Sequence, residues 1–436
     1  MSRKITPSHR KAQELTQWLH GQRADRDDGQ ELLSTLVRLS TERVLQEALE
    51  HEQTEALGRG RYERGAALSG YRNGYEDGTV KTAEGVLRLQ LPQVRGLREP
   101  YCSKLWSALG RTSDVLSTLI VEMYAGGMSQ RDIEEALEKA LGQFVMSKSA
   151  ISEITDRLAH EYDAFRTRDL SGYDVAYLFI DTVYEPLRRW GSKTGVMCVW
   201  GICLDGRKVL LSLSTAHSES YESCLEVLRD LIKRGMPTPV TITTDGAAGL
   251  IKAVDFMWPR SLRIRCWFHK MQNLAAHVPP QAWPAFKALV VDMRDAPSVE
   301  AGQRRFEQLI AQYESLFPEA CRCLRDDIAA SLNHLKVPTR HQQYVRTSNL
   351  AERAFAEERR RTKVIPHLWD EPSLLKLVFA VLMRVSERWG KKQFSEFEQH
   401  QIRVLRQSLD LDHPLVADDV VTRESQPRRS AASARR

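Results

Sequence analysis

Residues 173–188, YDVAYLFIDTVYEPLR, and residues 195–216, GVMCVWGICLDGRKVLLSLSTA, carry the period of β-strands. Leu204-Asp205-Gly206-Arg207 supplies a hairpin turn, so the passage predicts three antiparallel strands. Residues 220–235, SYESCLEVLRDLIKRG, then read as a helix stopped by Gly235. A buried strand follows in PVTITTDG, residues 239–246, and a helix in AAGLIKAV, residues 247–254. Asp181 ends the apolar run YLFID, and Asp245 ends the second strand segment.

Three antiparallel strands, a helix, a fourth strand and a helix is the element order of a ribonuclease-H-like core, an α/β fold. The first and fourth strands of that fold are neighbours, so Asp181 and Asp245 would converge. A third acid is sought in TSNLAERAFAEERRRTK, residues 347–363, which reads as a helix capped by Thr347, Ser348 or Asn349. Glu352 lies nearest its start, where the helix end is positive. Glu357 and Glu358, five and six residues on, point elsewhere. Two strand acids and a helix acid could hold a pair of divalent cations that clamp the attacking and leaving oxygens of a phosphodiester. Each acid alone reads more simply as structural; their joint order is the signal. Arg353, Arg359, Arg360, Arg361 and Lys363 would line a path for a DNA backbone, or else form a solvated charged face.

The bulk numbers permit this. The chain has 436 residues, 42% hydrophobic and 28% charged, with a net charge of +6, enough for two or three domains with sizeable cores and a mildly basic surface. The first residues lack the apolar run of a signal peptide, and the longest apolar stretches, VMCVWGICL and LVFAVLM, are too short to span a bilayer. Seven cysteines without framework spacing predict free thiols in a reducing cytoplasm. No GxxxxGK[ST] and no HExxH occurs, which disfavours nucleotide-triphosphate hydrolysis and the common zinc peptidase chemistry.

Upstream, residues 1–60 read as helical, with apolar residues at helical spacing over 29–57. Residues 58–80, GRGRYERGAALSGYRNGYEDGTV, read as a loop or arm whose arginines, Arg72 among them, lie along phosphates, or as a solvated linker. Residues 79–94 read as a short hairpin. Residues 113–125 form a helix that stops at Gly126-Gly127; Ser129 caps the next, with Asp132 completing a capping box; Gly142 breaks it, and Ser147 caps a third, residues 147–162. The block reads as a helix-turn-helix with Lys148 and Ser149 facing DNA, or as a plain helical bundle. Residues 255–340 are mostly helical, an all-helical insertion between the second and third acids. The tail QPRRSAASARR reads as a basic disordered segment.

YRNGY at 71–75, GMSQRDIEEALE at 127–138, IDTVYEPLR at 180–188, TDGAAGL at 244–250, RCWFHKMQNL at 265–274 and SNLAERAFAEERRRTK at 348–363 are blocks in the order of a known family. Over about residues 35–395 the chain resembles the mutator-type DDE transposases of bacterial insertion sequences. The resemblance implies that Asp181, Asp245 and Glu352 are the catalytic triad and its metal ligands, using two Mg²⁺ or Mn²⁺ ions. It implies double-stranded DNA as partner, first the terminal inverted repeats and then target DNA. Water would free a 3′-hydroxyl, which would attack the target. Synapsis of two ends implies a homodimer or higher oligomer, in a bacterial, nucleoid-associated setting and with no membrane. The family's Cys-x-x-His pair falls on Cys266 and His269, near the active centre with Asn349. The pair reads either as half a zinc site or as a packed cysteine with a histidine near the active centre or DNA; nothing in the sequence brings Cys321 or Cys323 to it, so zinc is disfavoured. Phe355 stands where the family usually has Asn, Ala356 where it has a basic or polar residue, and the first block departs from DAxYxKxR.

The expected organisation is an N-terminal helical and arm region (1–100), a helix-turn-helix domain (101–168), the core's first part (169–258), the insertion (259–342), the core's second part (343–412) and the tail (413–436). Two other readings use the same residues: a structure-selective nuclease on a ribonuclease-H-like core, and a catalytically silent DNA-binding protein derived from a transposase.

Overall fold

The structure, a computed structural model, describes residues 5–21, 29–63, 70–186, 193–216, 220–362, 370–389 and 393–412. Lys363, Arg188 and the tail 413–436 lie outside the described residues. The fold is mixed α/β and falls into two units, Met1–Arg157 and Leu158–Arg436. No disulfide joins the seven cysteines, and among the described residues no helix is long and apolar enough to cross a membrane.

In the first unit, α1 (Pro7–Gly21) and α2 (Gly29–Leu57) precede a hairpin of β1 (Tyr71–Thr82) and β2 (Gly85–Arg95). The hairpin begins earlier than its alternation predicts, so YRNGY is strand and not arm. Leu49 of α2 packs with Val80, Leu87 and Leu89 in a small core. Buried polar side chains of α2 also bond the backbone of β2. Gln46 accepts from Gln90 N–H and donates to Gln90 C=O, both at 2.8 Å, Glu42 accepts from Arg88 N–H, and Gln53 donates to Gln93 C=O. An unpaired strand edge is thereby satisfied by side chains.

Short α3 (Lys104–Leu109) leads to α4 (Asp114–Ala125), α5 (Gln130–Leu141) and α6 (Lys148–Thr155). Ser129 and Ser147 cap α5 and α6 as the sequence predicts, Ser129 and Asp132 in a reciprocal capping box; Ser113 also caps α4, and Gly142 ends α5 at φ +62. The helix expected from 147 to 162 is two helices. It breaks at Asp156, and α7 (Arg157–Thr167) follows.

The second unit is built on one sheet. Strands β3 (Val175–Pro186), β4 (Lys193–Cys203) and β5 (Lys208–Ala216) are antiparallel; α8 (Tyr221–Lys233), β6 (Thr241–Thr244), α9 (Ala248–Met257) and β7 (Leu262–Arg265) follow. The sheet order is β5-β4-β3-β6-β7, with β6 parallel to both β3 and β7. Strand β7 was not singled out from the sequence: it has four residues, and two are arginines. On one face Leu178, Ile180 and Ile242 pack under Leu228, Leu231, Val254 and Met257 of α8 and α9. Period-2 alternation then turns Tyr177, Phe179, Asp181, Thr243 and Asp245 to the opposite face.

After β7 the chain is helical through α10 (Trp267–Ala275), α11 (Trp283–Arg294), α12 (Val299–Tyr313), α13 (Pro318–Asp326), α14 (Ile328–Leu332), a 3₁₀ turn and α15 (Thr339–Val345). These helices have a core of their own, with Trp267, Phe286, Val290, Met293, Leu309 and Leu324. Helix α16 (Asn349–Thr362) then returns to the sheet, packing on β3 and β4, before α17 (Glu371–Trp389) and α18 (Glu396–Ser408).

Candidate catalytic centre

The strand registers place the site. Ile180 of β3 is level with Thr244 of β6, and Thr244 with Arg265 of β7. The next residues, Asp181, Asp245 and Cys266, therefore form one row across three strands. Asp181 is not at a strand end: β3 runs on to Pro186, paired with β4 alone. It stands where the parallel ladder to β6 stops. Asp245 directly follows β6, and its Oδ1 accepts from Ala247 N–H at 3.1 Å. Gly246 holds φ +97 beside it, against the buried Arg265 guanidinium. Arg265 is paired with Asp327 at 3.4 Å.

Three bonds pin the segment before α16 to this row. Thr243 Oγ1 donates to Val345 C=O at 2.7 Å, Trp267 N–H to Arg346 C=O at 2.9 Å, and Ser348 N–H to Cys266 Sγ at 3.2 Å. Chain positions 82 residues apart are thus held in contact. Ser348 is fully buried, and its hydroxyl donates to Glu352 Oε1 at 3.1 Å. The same hydroxyl lies close enough to Asp181 to help hold its pKa down. It is a node between the first and third acids that sequence reading left among three candidate caps. A serine directly before the helix, four residues from the acid, was the available signal.

Electrostatics match this crowding. Burial first, and then the charge of Asp245, lift the Asp181 carboxyl from 3.8 to about 7, against the opposing pull of His269. Burial also raises Glu352. Carboxylates that are this costly to ionise together are hard oxygen donors of the kind a divalent cation relieves, so the donor set fits Mg²⁺ or Mn²⁺.

The other expected residues divide. Cys266 and His269 are in the site; the Cys266 thiol is pushed up by burial. The structure brings Glu352 to that pair: one donor atom each of Cys266, His269 and Glu352 lie within 4.8 Å of one another. Cys321 instead packs in the core of the helical segment. Asn349 is exposed at the first position of α16. Arg353 and Arg359 are exposed on α16, whereas Arg360 and Arg361 are ion-paired with Glu357. Glu358 is buried, beside Cys198. Lys148 and Ser149 are exposed at the start of α6. Arg72 is committed locally: its guanidinium donates to the carbonyls of Arg59 and Gly60 and to Thr54 Oγ1.

Comparison with known proteins bears on this geometry. A family model described as "Transposase, Mutator family" matches residues 10–392. The transposase for insertion sequence element IS6120 of Mycolicibacterium smegmatis is 33% identical over 275 residues, 63% of this chain and 85% of the relative. That for ISRM5 of Rhizobium meliloti is 29% identical over 371 residues, 84% of this chain and 92% of the relative. That for IS406 of Burkholderia multivorans is 31% identical over 352 residues, 79% and 89% respectively.

Proposed function

The chain belongs to the Mutator family of transposases, and we propose that it is a DDE enzyme whose triad is Asp181, Asp245 and Glu352. One observation carries the reading: strand register sets Asp181 beside Asp245, whose charge with burial lifts Asp181 to about 7, and the buried Ser348 next to this row bonds the helix acid Glu352. The sheet order, three antiparallel strands followed by two parallel ones, supports a ribonuclease-H-like core interrupted by the helical segment.

Divalent ions at the triad, two Mg²⁺ or Mn²⁺, would neutralise charge on the attacking and leaving oxygens. The protein's own part is positional. Sheet register fixes Asp181 beside Asp245, and Ser348 ties Glu352 to them. Water attacks a phosphodiester at the element's terminal inverted repeat and a free 3′-hydroxyl leaves. That hydroxyl then attacks target DNA in line, with no covalent enzyme intermediate. Exposed Arg353 and Arg359 line the approach of the DNA backbone, and Lys148 and Ser149 of a helix-turn-helix formed by α5 and α6 contact the repeat. Arg72 serves its own loop. Pairing of two ends calls for a homodimer or higher oligomer.

The test is nicking of labelled element ends by purified protein with Mg²⁺ or Mn²⁺. Asp181→Asn, Asp245→Asn and Glu352→Gln should each abolish nicking while end binding persists. Cutting at near wild-type rate by any one removes that residue from the triad. Nicking at branched junctions without preference for element ends would favour a structure-selective nuclease. End binding without nicking by the wild type would favour the silent DNA-binding reading.

A further inference from the structure

Cys266 stands directly before α10 and His269 in its first turn, three residues apart, so that thiol and imidazole face one side. The sequence offers no third ligand in their neighbourhood. The structure supplies one from α16: donor atoms of Cys266, His269 and Glu352 lie within 4.8 Å of one another. Ligands held about 2.0–2.3 Å from one tetrahedral ion sit about 3.3–3.8 Å apart, so the three side chains would close in by about 1 Å on binding. We propose that Cys266, His269 and Glu352 form a site for a thiophilic transition-metal ion of the Zn²⁺ class, and that this ion withdraws Glu352 from Mg²⁺-dependent strand cleavage.

The donor chemistry argues for such an ion. Sulfur, imidazole nitrogen and one carboxylate oxygen suit Zn²⁺, whereas Mg²⁺ takes oxygen ligands and water. Three protein ligands leave a fourth tetrahedral position for water. Two further features prepare the site. Cys266 Sγ accepts the Ser348 N–H at 3.2 Å, the type of outer contact that steadies a metal-bound thiolate. His269 Nδ1 is shut off from solvent and has no hydrogen-bond partner among the described residues. Such a nitrogen is costly to leave unsatisfied, and one of the two imidazole nitrogens is the donor atom near Cys266 and Glu352. On binding, the Cys266 thiol gives up its proton to solvent as the sulfur–metal bond forms, with no change of oxidation state. In this inference the Glu352 carboxylate, once drawn onto the Zn²⁺-class ion, is withdrawn from the Asp181–Asp245 pair; a carboxylate that bridged both ions would leave cleavage intact, which the zinc titration below reads out. The inhibitory half of the inference rests on Glu352 being the third catalytic acid; the binding half does not.

The binding half is tested by titrating metal-free full-length protein with Co²⁺, a spectroscopic stand-in for Zn²⁺. A near-ultraviolet thiolate-to-cobalt charge-transfer band is expected in the wild type and in Asp181→Asn. The band should vanish in Cys266→Ser, and His269→Ala should weaken Co²⁺ affinity at least about tenfold, circular dichroism confirming that both variants fold. No band in the wild type, or the same band in folded Cys266→Ser, overturns the site. For the inhibitory half, nicking at fixed Mg²⁺ is followed against rising Zn²⁺, each protein normalised to its own zinc-free rate. Half-inhibition should need at least about tenfold more Zn²⁺ in His269→Ala than in the wild type. Full wild-type nicking with the cobalt site occupied overturns inhibition. A cobalt band in a wild type that cuts nothing under any metal sinks the triad reading and leaves the metal site standing.

Discussion

Asp181→Asn should make the metal-free protein more stable, and chiefly at alkaline pH. The Asp181 carboxyl moves from 3.8 to about 7 on folding, through burial first and Asp245 second. A folded pKa above the unfolded one means that the native state holds the proton longer. Stability therefore falls as pH rises from about 4 to about 7, and the deficit is complete above that. At 1.36 kcal/mol per unit, the shift costs the folded wild type up to about 4 kcal/mol at pH 8 and less than half of that at pH 5. Asparagine keeps the shape, can still accept the Thr182 N–H, and carries no charge. Its advantage at pH 8 should exceed that at pH 5 by about 2–3 kcal/mol, or roughly 3–5 °C in Tm for a unit of this size. Differential scanning calorimetry in chelator at both pH values reads this directly. Added Mg²⁺ or Mn²⁺ should raise the wild type's Tm and close the gap. An equal gain at both pH values, or a loss at pH 8, would refute the claim that Asp181 is held ionised at a cost.

Other perturbations probe separate links. Glu352→Gln should abolish end nicking and Glu357→Gln should not, since Glu357 is occupied with Arg360 and Arg361; equal losses would unseat the choice of third acid. Gly246→Ala puts a Cβ at φ +97 into the Arg265 guanidinium and should lower stability in urea by at least about 1–3 kcal/mol. An Arg265→Ala background should absorb part of that loss, and a neutral single variant would contradict the close packing. Gln46→Ala strips both backbone partners from Gln90 and should cost about 2–4 kcal/mol, with faster hydrogen exchange at the Gln90 amide; unchanged exchange would show that water replaces the side chain. Arg353→Ala with Arg359→Ala should reduce the slope of log affinity against log salt for element ends by about 1–2. An unaltered slope would remove α16 from the DNA path.

The sheet acids were legible because alternation is a local signal. Ile180 and Ile242 take the helix-covered face, so Asp181 and Asp245 must take the other. Glu352 was legible from its place near a helix start. What escaped the sequence depends on partners distant in the chain. LRIR gives little strand signal, yet it is a strand because β6 pairs it and Asp327 and Asp255 compensate its arginines. The region around Tyr71 lacks an apolar rhythm, yet it pairs with β2, whose other edge is met by α2 side chains. The break at Asp156 followed a run with no proline or glycine to announce it. The Ser348 node, and the meeting of Cys266 and His269 with Glu352, join residues more than eighty apart, which no local pattern encodes.

The three bonds from Thr243, Trp267 and Ser348 bring the departure and return points of the helical segment together. Whatever lies between Trp267 and Val345 is then a closed appendage whose two ends share one anchor. Insertions or deletions within it change the size of the appendage without moving Glu352. A drifting lineage could remodel that appendage for a new synaptic partner or target while the chemistry beneath it kept its geometry.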